Sequence, residues 1–397
     1  MFRDRTILIM ALGQTLVWAG LFYVFPALIL HWTADPGWSK SQLSVAIAIA
    51  VFLSGLASMV AGPVIDRGFG PALMAGCAGL GGLALATLSQ AHEIWQFQAI
   101  WAFIGLCLAG CLYEPCFVLV TRARGAEAKG GIVAITLVAG FAGTLSFPVA
   151  NALAGGLGWR TAVQVIGLFV ALIVAPLLWW AAARLERERR AHPHHAAEAP
   201  ETQPRFLRRP AFWALGLAMA LMATVHSATL QHLLPILDEH SIAPATAVFV
   251  ASLIGPMQVA GRLAMIWAGR FLSHHGLTLT CFAMIGTAEI VLVASGRAPI
   301  LLWLFVPLFG GAVGVVSILR PLLAREILGA RNFGAKSGAL AFLFLAGGAS
   351  APWLGALIWG WGGYDAMLAL LTCAAALGAG LYAIARRFGA DARGHTS

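Results

Sequence analysis

The sequence predicts an all-α integral membrane protein with twelve transmembrane helices arranged as two six-helix repeats. Hydrophobic residues make up 60% of the 397 residues and charged residues only 10%, whereas about a quarter of a soluble protein is charged. The apolar residues lie in continuous blocks of about twenty residues, the length of a membrane-spanning helix. The two halves of the chain also repeat each other. A mean hydropathy of +0.85 leaves no large water-filled domain for a catalytic site.

The apolar blocks give twelve predicted spans, most of them joined by short connections. They lie near 6–31, 41–63, 72–90, 94–120, 131–154, 160–183, 211–236, 246–268, 276–295, 299–324, 336–359 and 365–385. The first block is too long for a cleaved signal peptide, so we expect it to be retained as the first span. An outer-membrane barrel is excluded, because its strands alternate over about ten residues.

The basic residues are distributed unequally between the two sides of the predicted membrane. With the N-terminus in the cytoplasm, only Lys40, Arg160 and Arg297 fall outside, Arg262 and Arg320 lie within spans, and all other Lys and Arg residues are cytoplasmic. The positive-inside rule therefore predicts cytoplasmic termini in the inner membrane of the cell. The net charge of +9 reflects this topology and predicts no nucleic-acid partner.

One long polar segment divides the chain. Residues 184–210 are predicted to be a cytoplasmic linker between an N-terminal bundle, 1–183, and a C-terminal bundle, 211–397. The linker contains His192, His194 and His195, which could be interpreted as a metal-binding tract, but a solvated linker is favoured. No metal site and no cofactor are predicted.

The internal repeat is the most informative feature. Residues 113–115 in span 4 correspond to 319–321 in span 10, and 158–160 at the start of span 6 correspond to 363–365 at the start of span 12, at nearly the same offset. Two parallel six-helix repeats around a site at the membrane midplane are a transporter architecture.

The junction of spans 2 and 3 reads GPVIDRGFGP, from Gly62 to Pro71. It resembles the signature loop of the major facilitator superfamily, and a weaker copy, AGRLAMIWAGR, follows span 8 with Gly269 in place of the aspartate. The segments GWSKSQLS and RPLLAREILGARNFG and an arginine in span 8 are similar to the monocarboxylate and oxalate/formate branches. The resemblance implies alternating access by a monomer. It also implies a conformational latch at this loop, whose residues are Gly62, Asp66, Arg67 and Gly70, with Asp66 facing a helix N-terminus.

Charges inside spans are site candidates, because they are unfavourable in the membrane interior. By resemblance, spans 1, 4, 7 and 10 line a central cavity. Glu114 of span 4 is then predicted to accept the coupling proton and Arg320 of span 10 to hold an anionic substrate, the two exchanging partners during turnover. The alternative is a fixed ion pair that closes the cytoplasmic side.

Arg262 of span 8 matches by position the arginine that binds the substrate carboxylate in monocarboxylate-type carriers. A guanidinium suits this role because its planar fork meets both carboxylate oxygens. Gln258 stands one turn away, where the family has an acidic residue. The alternative is that Arg262 extends toward the cytoplasm or serves the second copy of the signature loop.

The remaining candidates lie on spans 1, 4 and 7, where aromatic and polar side chains resemble the wall of a binding cavity. They are Trp18, Tyr23, Tyr113, His226 and Gln231. An unperturbed histidine titrates near physiological pH, so His226 is a candidate to assist coupling. The alternative is that His226 is a packed interhelical histidine and that the polar residues of span 7 hold helices together.

The predicted function is secondary transport of a small organic anion coupled to protons, since no P-loop for ATP is present. An alternative is efflux of trivalent arsenic or antimony, because Cys107, Cys111 and Glu114 have the spacing of one helical face. Broad drug efflux is a further alternative. An enzyme is not expected, because no extramembrane segment carries a catalytic motif.

Overall fold

The computed structural model describes residues 4–191 and 205–394, and these residues are helical throughout, with short turns and no strand. Eleven stretches of this described part are long and apolar enough to cross a membrane. The all-α membrane class is therefore confirmed. Helices satisfy their own backbone hydrogen bonds, which is what an apolar bilayer requires.

The first half of the chain forms ten α-helices. They are α1 Arg5–Val17, α2 Val24–Ala34, α3 Lys40–Val64, α4 Gly70–Thr87, α5 Ile94–Cys111, α6 Tyr113–Arg124, α7 Ala128–Ala139, α8 Ala142–Leu157, α9 Trp159–Phe169 and α10 Ala175–Ala191. Three of these helices continue into short π-helical segments, which are Trp18–Tyr23, Ile65–Phe69 and Val170–Val174.

The second half forms five longer helices. They are α11 Pro210–Glu239, α12 Pro244–Ala268, α13 His274–Ser295, α14 Leu302–Leu328 and α15 Phe333–Gly394. Polar side chains begin several helices: Asp4 accepts from two backbone N–H groups of α1, and Ser273 accepts from Gly276 in α13.

The helical runs do not follow the twelve predicted spans one for one. The predicted spans 2 and 3 are joined in one run, Gln42–Gln90, which turns at Gly68, where φ is 91°. A residue with a side chain is strained at this φ, so a glycine suits the turn. In α15 the backbone leaves the helical range at Gly362 and Gly363.

The chain divides into two compact units. Unit 1 contains Met1–Thr202 and Ala330–Phe342, and unit 2 contains Gln203–Gly329 and Leu343–Ser397. This differs from the predicted division in two ways. Helix α10 continues to Ala191, into the predicted linker, and the first turns of α15 group with the N-terminal bundle because Asp66 binds them. The linker histidines His192, His194 and His195 lie outside the described residues.

Candidate functional site

The aromatic candidates of unit 1 lie together. Trp18 and Tyr23 belong to the π-helical segment of span 1, with ring centroids 6.1 Å apart. The ring of Trp18 also lies 4.7 Å from that of Tyr113, at the start of α6. All three side chains are partly buried. The structure thus brings the predicted aromatic wall of spans 1 and 4 into one cluster.

Span 4 is broken beside this cluster. Leu112 has an extended backbone, with ψ at −154°, and separates α5 from α6. Pro115 accounts for the break, because a proline has no N–H to donate to the carbonyl of Cys111 four residues earlier, and its ring would collide with that carbonyl. The Cys111 carbonyl accepts instead from the side-chain amide of Gln14, at 2.9 Å.

Gln14 is fully buried, and its Oε1 has no hydrogen-bond partner among the described residues. Glu114 lies in the first turn of α6, directly after the break, and is partly buried. Helix N-termini favour negative charge, so this place stabilises a carboxylate. Discontinuous membrane helices of this kind form ion and substrate sites in transporters.

The prediction that Cys107, Cys111 and Glu114 share one helical face assumed a continuous helix. In the structure the extended residue Leu112 interrupts the helix between the two thiols and the carboxylate. Both cysteines are buried, with side chains at most 4% exposed. They pack toward α4, where Cys77 lies against the same helix at Gly110. Among the described residues, no three His, Cys, Asp or Glu side chains could hold a metal ion.

The signature loop binds the start of α15 within unit 1. The two carboxylate oxygens of Asp66 accept from the backbone N–H groups of Gly334 and Ala335, each at 2.9 Å. The predicted contact of Asp66 with a helix N-terminus is therefore present. Backbone groups approach closely here, since a Cβ on Gly62 would lie 1.9 Å from the carbonyl oxygen of Gly334. Gly70 similarly packs under Leu119, 2.6 Å from such a Cβ.

Arg122 is a residue of this site that the sequence analysis counted only toward topology. Its guanidinium donates to the backbone carbonyls of Ile65 and Asp66 and lies 3.7 Å from the Asp66 carboxylate. Arg67, the predicted latch residue, is exposed. The sequence did contain a signal for this contact: Arg122 lies at the predicted cytoplasmic end of span 4, and the resemblance places the signature loop on the same side of the membrane.

In unit 2, Arg262 is buried at the crossing of α12 and α14. Its Nε donates to the backbone carbonyl of Gly314 at 3.4 Å, and its side chain is 7% exposed. The two helices meet at Gly314, where a Cβ would lie 2.1 Å from the carbonyl oxygen of Gln258. The Gln258 side chain is partly buried. Arg262 and Gln258 are thus held at one tight helix crossing.

The other unit 2 candidates are spread over α11 and α14. The guanidinium of Arg320 lies 4.1 Å over the ring of Phe344, a cation–π contact. The ring of His226 lies 5.6 Å from that of Phe309, and its Nε2 is buried without a hydrogen-bond partner among the described residues. Gln231 is exposed on α11.

Sequence reasoning missed Glu289. This residue of α13 is 0% exposed, and its Oε1 accepts from the hydroxyl of Thr229 on α11 at 2.9 Å. Its Oε2 has no hydrogen-bond partner within the described structure. The signal was present, because Glu289 is an acidic residue inside an apolar span, the same argument that selected Glu114.

Three solved structures with similar folds are transporters. The human organic anion transporter TETRAN is 16% identical, with a TM-score of 0.69, over 95% of this chain and 98% of that chain. The proton:xylose symporter XylE, bound to 6-bromo-6-deoxy-D-glucose, is 12% identical, with a TM-score of 0.72, over 94% of each chain. FucP in the outward conformation is 12% identical, with a TM-score of 0.71, over 96% of this chain and 98% of that chain.

Two further comparisons use the sequence alone. Comparison with curated proteins finds no relative. The family profile of the Major Facilitator Superfamily matches residues 10–352, nearly the whole chain. Together with the helical architecture, this match makes the protein a multi-pass membrane transporter and not an enzyme. The chain belongs to the Major Facilitator Superfamily.

Proposed function

We propose that the protein is a proton-coupled carrier of a small organic anion of the monocarboxylate type, working by alternating access. The observation that carries this proposal is the presence of two arginines, Arg262 and Arg320, inside the membrane-spanning helices of unit 2. A charge at the centre of a span costs about 2.5–3.5 kcal/mol on insertion scales. An arriving carboxylate offsets this cost, and the planar guanidinium fits both of its oxygens.

The other predicted residues take separate roles within each unit. Gln258, beside Arg262 at the crossing of α12 and α14, and His226 and Gln231 on α11 supply hydrogen bonds to the substrate. Trp18, Tyr23 and Tyr113 form the aromatic wall in unit 1. Glu114, at the break of span 4, accepts the coupling proton. The names of two solved relatives, an organic anion transporter and a proton symporter, are in keeping with these roles.

We further propose twelve membrane crossings, cytoplasmic termini, the inner membrane as location and a monomeric carrier. The turn at Gly68 supports twelve crossings, because it divides a run of 49 residues into two helices that can each cross the bilayer. The contact of Asp66 with Gly334 and Ala335 supports a latch role for the signature loop.

A thermal-shift panel on the purified full-length protein tests the substrate class. The probes are pyruvate, lactate and oxalate, with tetraphenylphosphonium as a lipophilic cation and antimonite as a metalloid. A ligand at 100 times its Kd stabilises the folded state by about 2.7 kcal/mol. We expect stabilisation by a carboxylate that Arg262→Ala or Arg320→Ala removes.

Arg297→Ala is the matched control, because Arg297 is exposed after the end of α13. It should leave the carboxylate effect intact. Stabilisation by tetraphenylphosphonium alone would replace the anion proposal with drug efflux, and stabilisation by antimonite alone would replace it with metalloid efflux.

A further inference from the structure

Glu289 lies in an apolar stretch of α13 and is buried in the interior of unit 2. Between Cys281 and Leu292 the sequence contains no other Asp, Glu, Lys or Arg, and these residues belong to a helix long and apolar enough to cross the membrane. At 1.5 Å per residue Glu289 lies about 9 Å from the Ser295 end of α13 and about 22 Å from the His274 end. The side chain is 0% exposed.

The contacts of this carboxyl group indicate that it is neutral in the arrangement described here. The hydroxyl of Thr229 donates to Oε1, while Oε2 has no hydrogen-bond partner among the described residues. A neutral hydroxyl does not balance a full negative charge in an apolar interior, and a buried acid without a cation takes up a proton instead. These contacts favour the neutral, protonated form of Glu289.

The charged groups that contact α13 from the neighbouring helices lie at its two ends. At the Ser295 end, His240 of α11 pairs with Ser295 at 3.3 Å. At the other end, Glu326 of α14 pairs with His274, and Tyr382 of α15 pairs with His275. Each of these contacts is at least six residues from Glu289 along α13.

Further titratable or charged groups lie along the same three helices. They are His226, His232, Asp238, Glu239, Arg320, Arg325, Lys336, Tyr364, Asp365, Cys373, Arg386, Arg387, Asp391 and Arg393. His226 and His232 stand one turn before and one turn after Thr229 on α11. Arg320 is remote: Met284 of α13 lies beside Gly311, since a Cβ added there would be 3.4 Å from it, and Gly311 is nine residues before Arg320 on α14. The structure described here gives Glu289 no ion pair with any of them.

We propose that Glu289 is a second proton carrier of the transport cycle, with Thr229 as its positioning residue. This inference rests on the proposed proton coupling. In the arrangement seen here α11 covers the carboxylic acid of Glu289 and separates it from water. When α11 moves away from α13 and water enters, the O–H bond of Glu289 breaks and the proton passes to water. The carboxylate takes a proton back before the helices close again.

Infrared spectroscopy on the full-length protein in lipid bilayers tests the protonation without any substrate. We expect the carbonyl band of a carboxylic acid at neutral pH, and its loss in Glu289→Gln. Thr229→Val should shift the band, because it removes the hydrogen bond to Oε1. Glu127→Gln, at an exposed carboxylate after the end of α6, is the control and should keep it. A wild-type spectrum without this band would overturn the proposal, as would a band that stays unchanged when the pH is raised.

Transport in proteoliposomes tests whether this proton is coupled. A gradient of one pH unit is equivalent to about 1.4 kcal/mol for each coupled proton, so each proton raises the accumulation of pyruvate up to about tenfold. Glu289→Gln should lower the accumulation ratio below that of wild-type protein while pyruvate exchange continues. Wild-type-like accumulation in Glu289→Gln would overturn the role of Glu289 and leave the proposed function standing.

The result with wild-type protein distinguishes a failure of the proposed proton coupling from a failure of the proposed role of Glu289. If wild-type protein accumulates pyruvate only to equality under a pH gradient, the proposed coupling is wrong, and the carrier role of Glu289 falls with it. If Glu289→Gln does not fold, Thr229→Val decides, because it keeps the acid. A shifted infrared band together with an altered pH dependence of uptake then supports the proposal, and an unaltered pH dependence overturns it.

Discussion

The carboxylate of Asp66 caps the helix that begins at Phe333, accepting from the backbone N–H of Gly334 at 2.9 Å and from the next N–H with its other oxygen. Residues separated by more than 260 positions in the chain are joined by this contact. The negative charge stands where the helix dipole and the unsatisfied N–H groups favour it. Arg122 holds the same loop from the other side through its backbone carbonyls.

Asp66→Asn removes the charge but keeps the shape of the side chain. Hydrogen bonds to a charged group contribute about 1.5–3 kcal/mol each, so the variant weakens the arrangement seen here. We expect turnover of the carrier to fall by roughly tenfold, because each 1.4 kcal/mol changes the population of a state tenfold, with little change in substrate affinity. Initial rates of pyruvate uptake across a concentration series measure both quantities.

Arg67→Ala is the control for this experiment. Arg67 neighbours Asp66 in the chain, but its side chain is exposed, so the variant should turn over faster than Asp66→Asn. A collapse of substrate affinity in Asp66→Asn, with turnover maintained, would show that the loop is part of the binding site and not a latch.

Gly62→Ala should disturb the same contact sterically. Its Cβ would lie 1.9 Å from the carbonyl oxygen of Gly334, a backbone atom that cannot rotate away. Overpacking of this kind costs typically 1–3 kcal/mol. We expect a lower melting temperature and slower uptake. Gly76→Ala, on α4, is the matched control, because a Cβ there meets nothing within 4 Å; equal melting temperatures of the two variants would contradict the close approach.

The helical membrane class follows from the sequence because the bilayer admits so few backbone structures. Long apolar runs therefore specify helices even where their ends are uncertain. The junction of spans 2 and 3 was predicted between residues 63 and 72, and the chain turns there at Gly68, whereas the π-helical geometry of Ile65–Phe69 had no local signal in the sequence. The grouping of 330–342 with unit 1 depends on tertiary contacts that the hydropathy pattern does not encode.

The site residues, like the fold, were predictable where the signal lies in the local sequence and were not predictable where it depends on tertiary contacts. Asp66 at a helix N-terminus was predictable from the loop and the helix dipole. The break at Leu112 had a local signal in Pro115, which the prediction of one continuous helical face for Cys107, Cys111 and Glu114 did not take into account. Glu289 also had a signal in its own span, but its pairing with Thr229 joins two helices and is visible only in the fold.

Gln14→Leu should destabilise unit 1 by removing the donor to the Cys111 carbonyl. A buried carbonyl without a partner costs about 1–3 kcal/mol, so the melting temperature should fall. Thr15→Val is the matched control: Thr15 is buried next to Gln14, but its hydroxyl binds the Ala11 carbonyl of its own helix. That carbonyl keeps its backbone partner, so Thr15→Val should be nearly neutral, and an equal fall in both variants would argue against a special role for Gln14.

Glu114→Gln should separate proton coupling from substrate movement. Glu114 lies in the first turn of α6, after the break, and the change to glutamine removes its charge but keeps the shape of the side chain. We expect uptake driven by a pH gradient to fall sharply while exchange of labelled pyruvate across the membrane continues. Glu127→Gln, which changes an exposed carboxylate after the end of α6, should behave as wild type. If Glu114→Gln folds but loses both activities, Glu114 is required for the movement of the carrier itself, and the proton role does not hold.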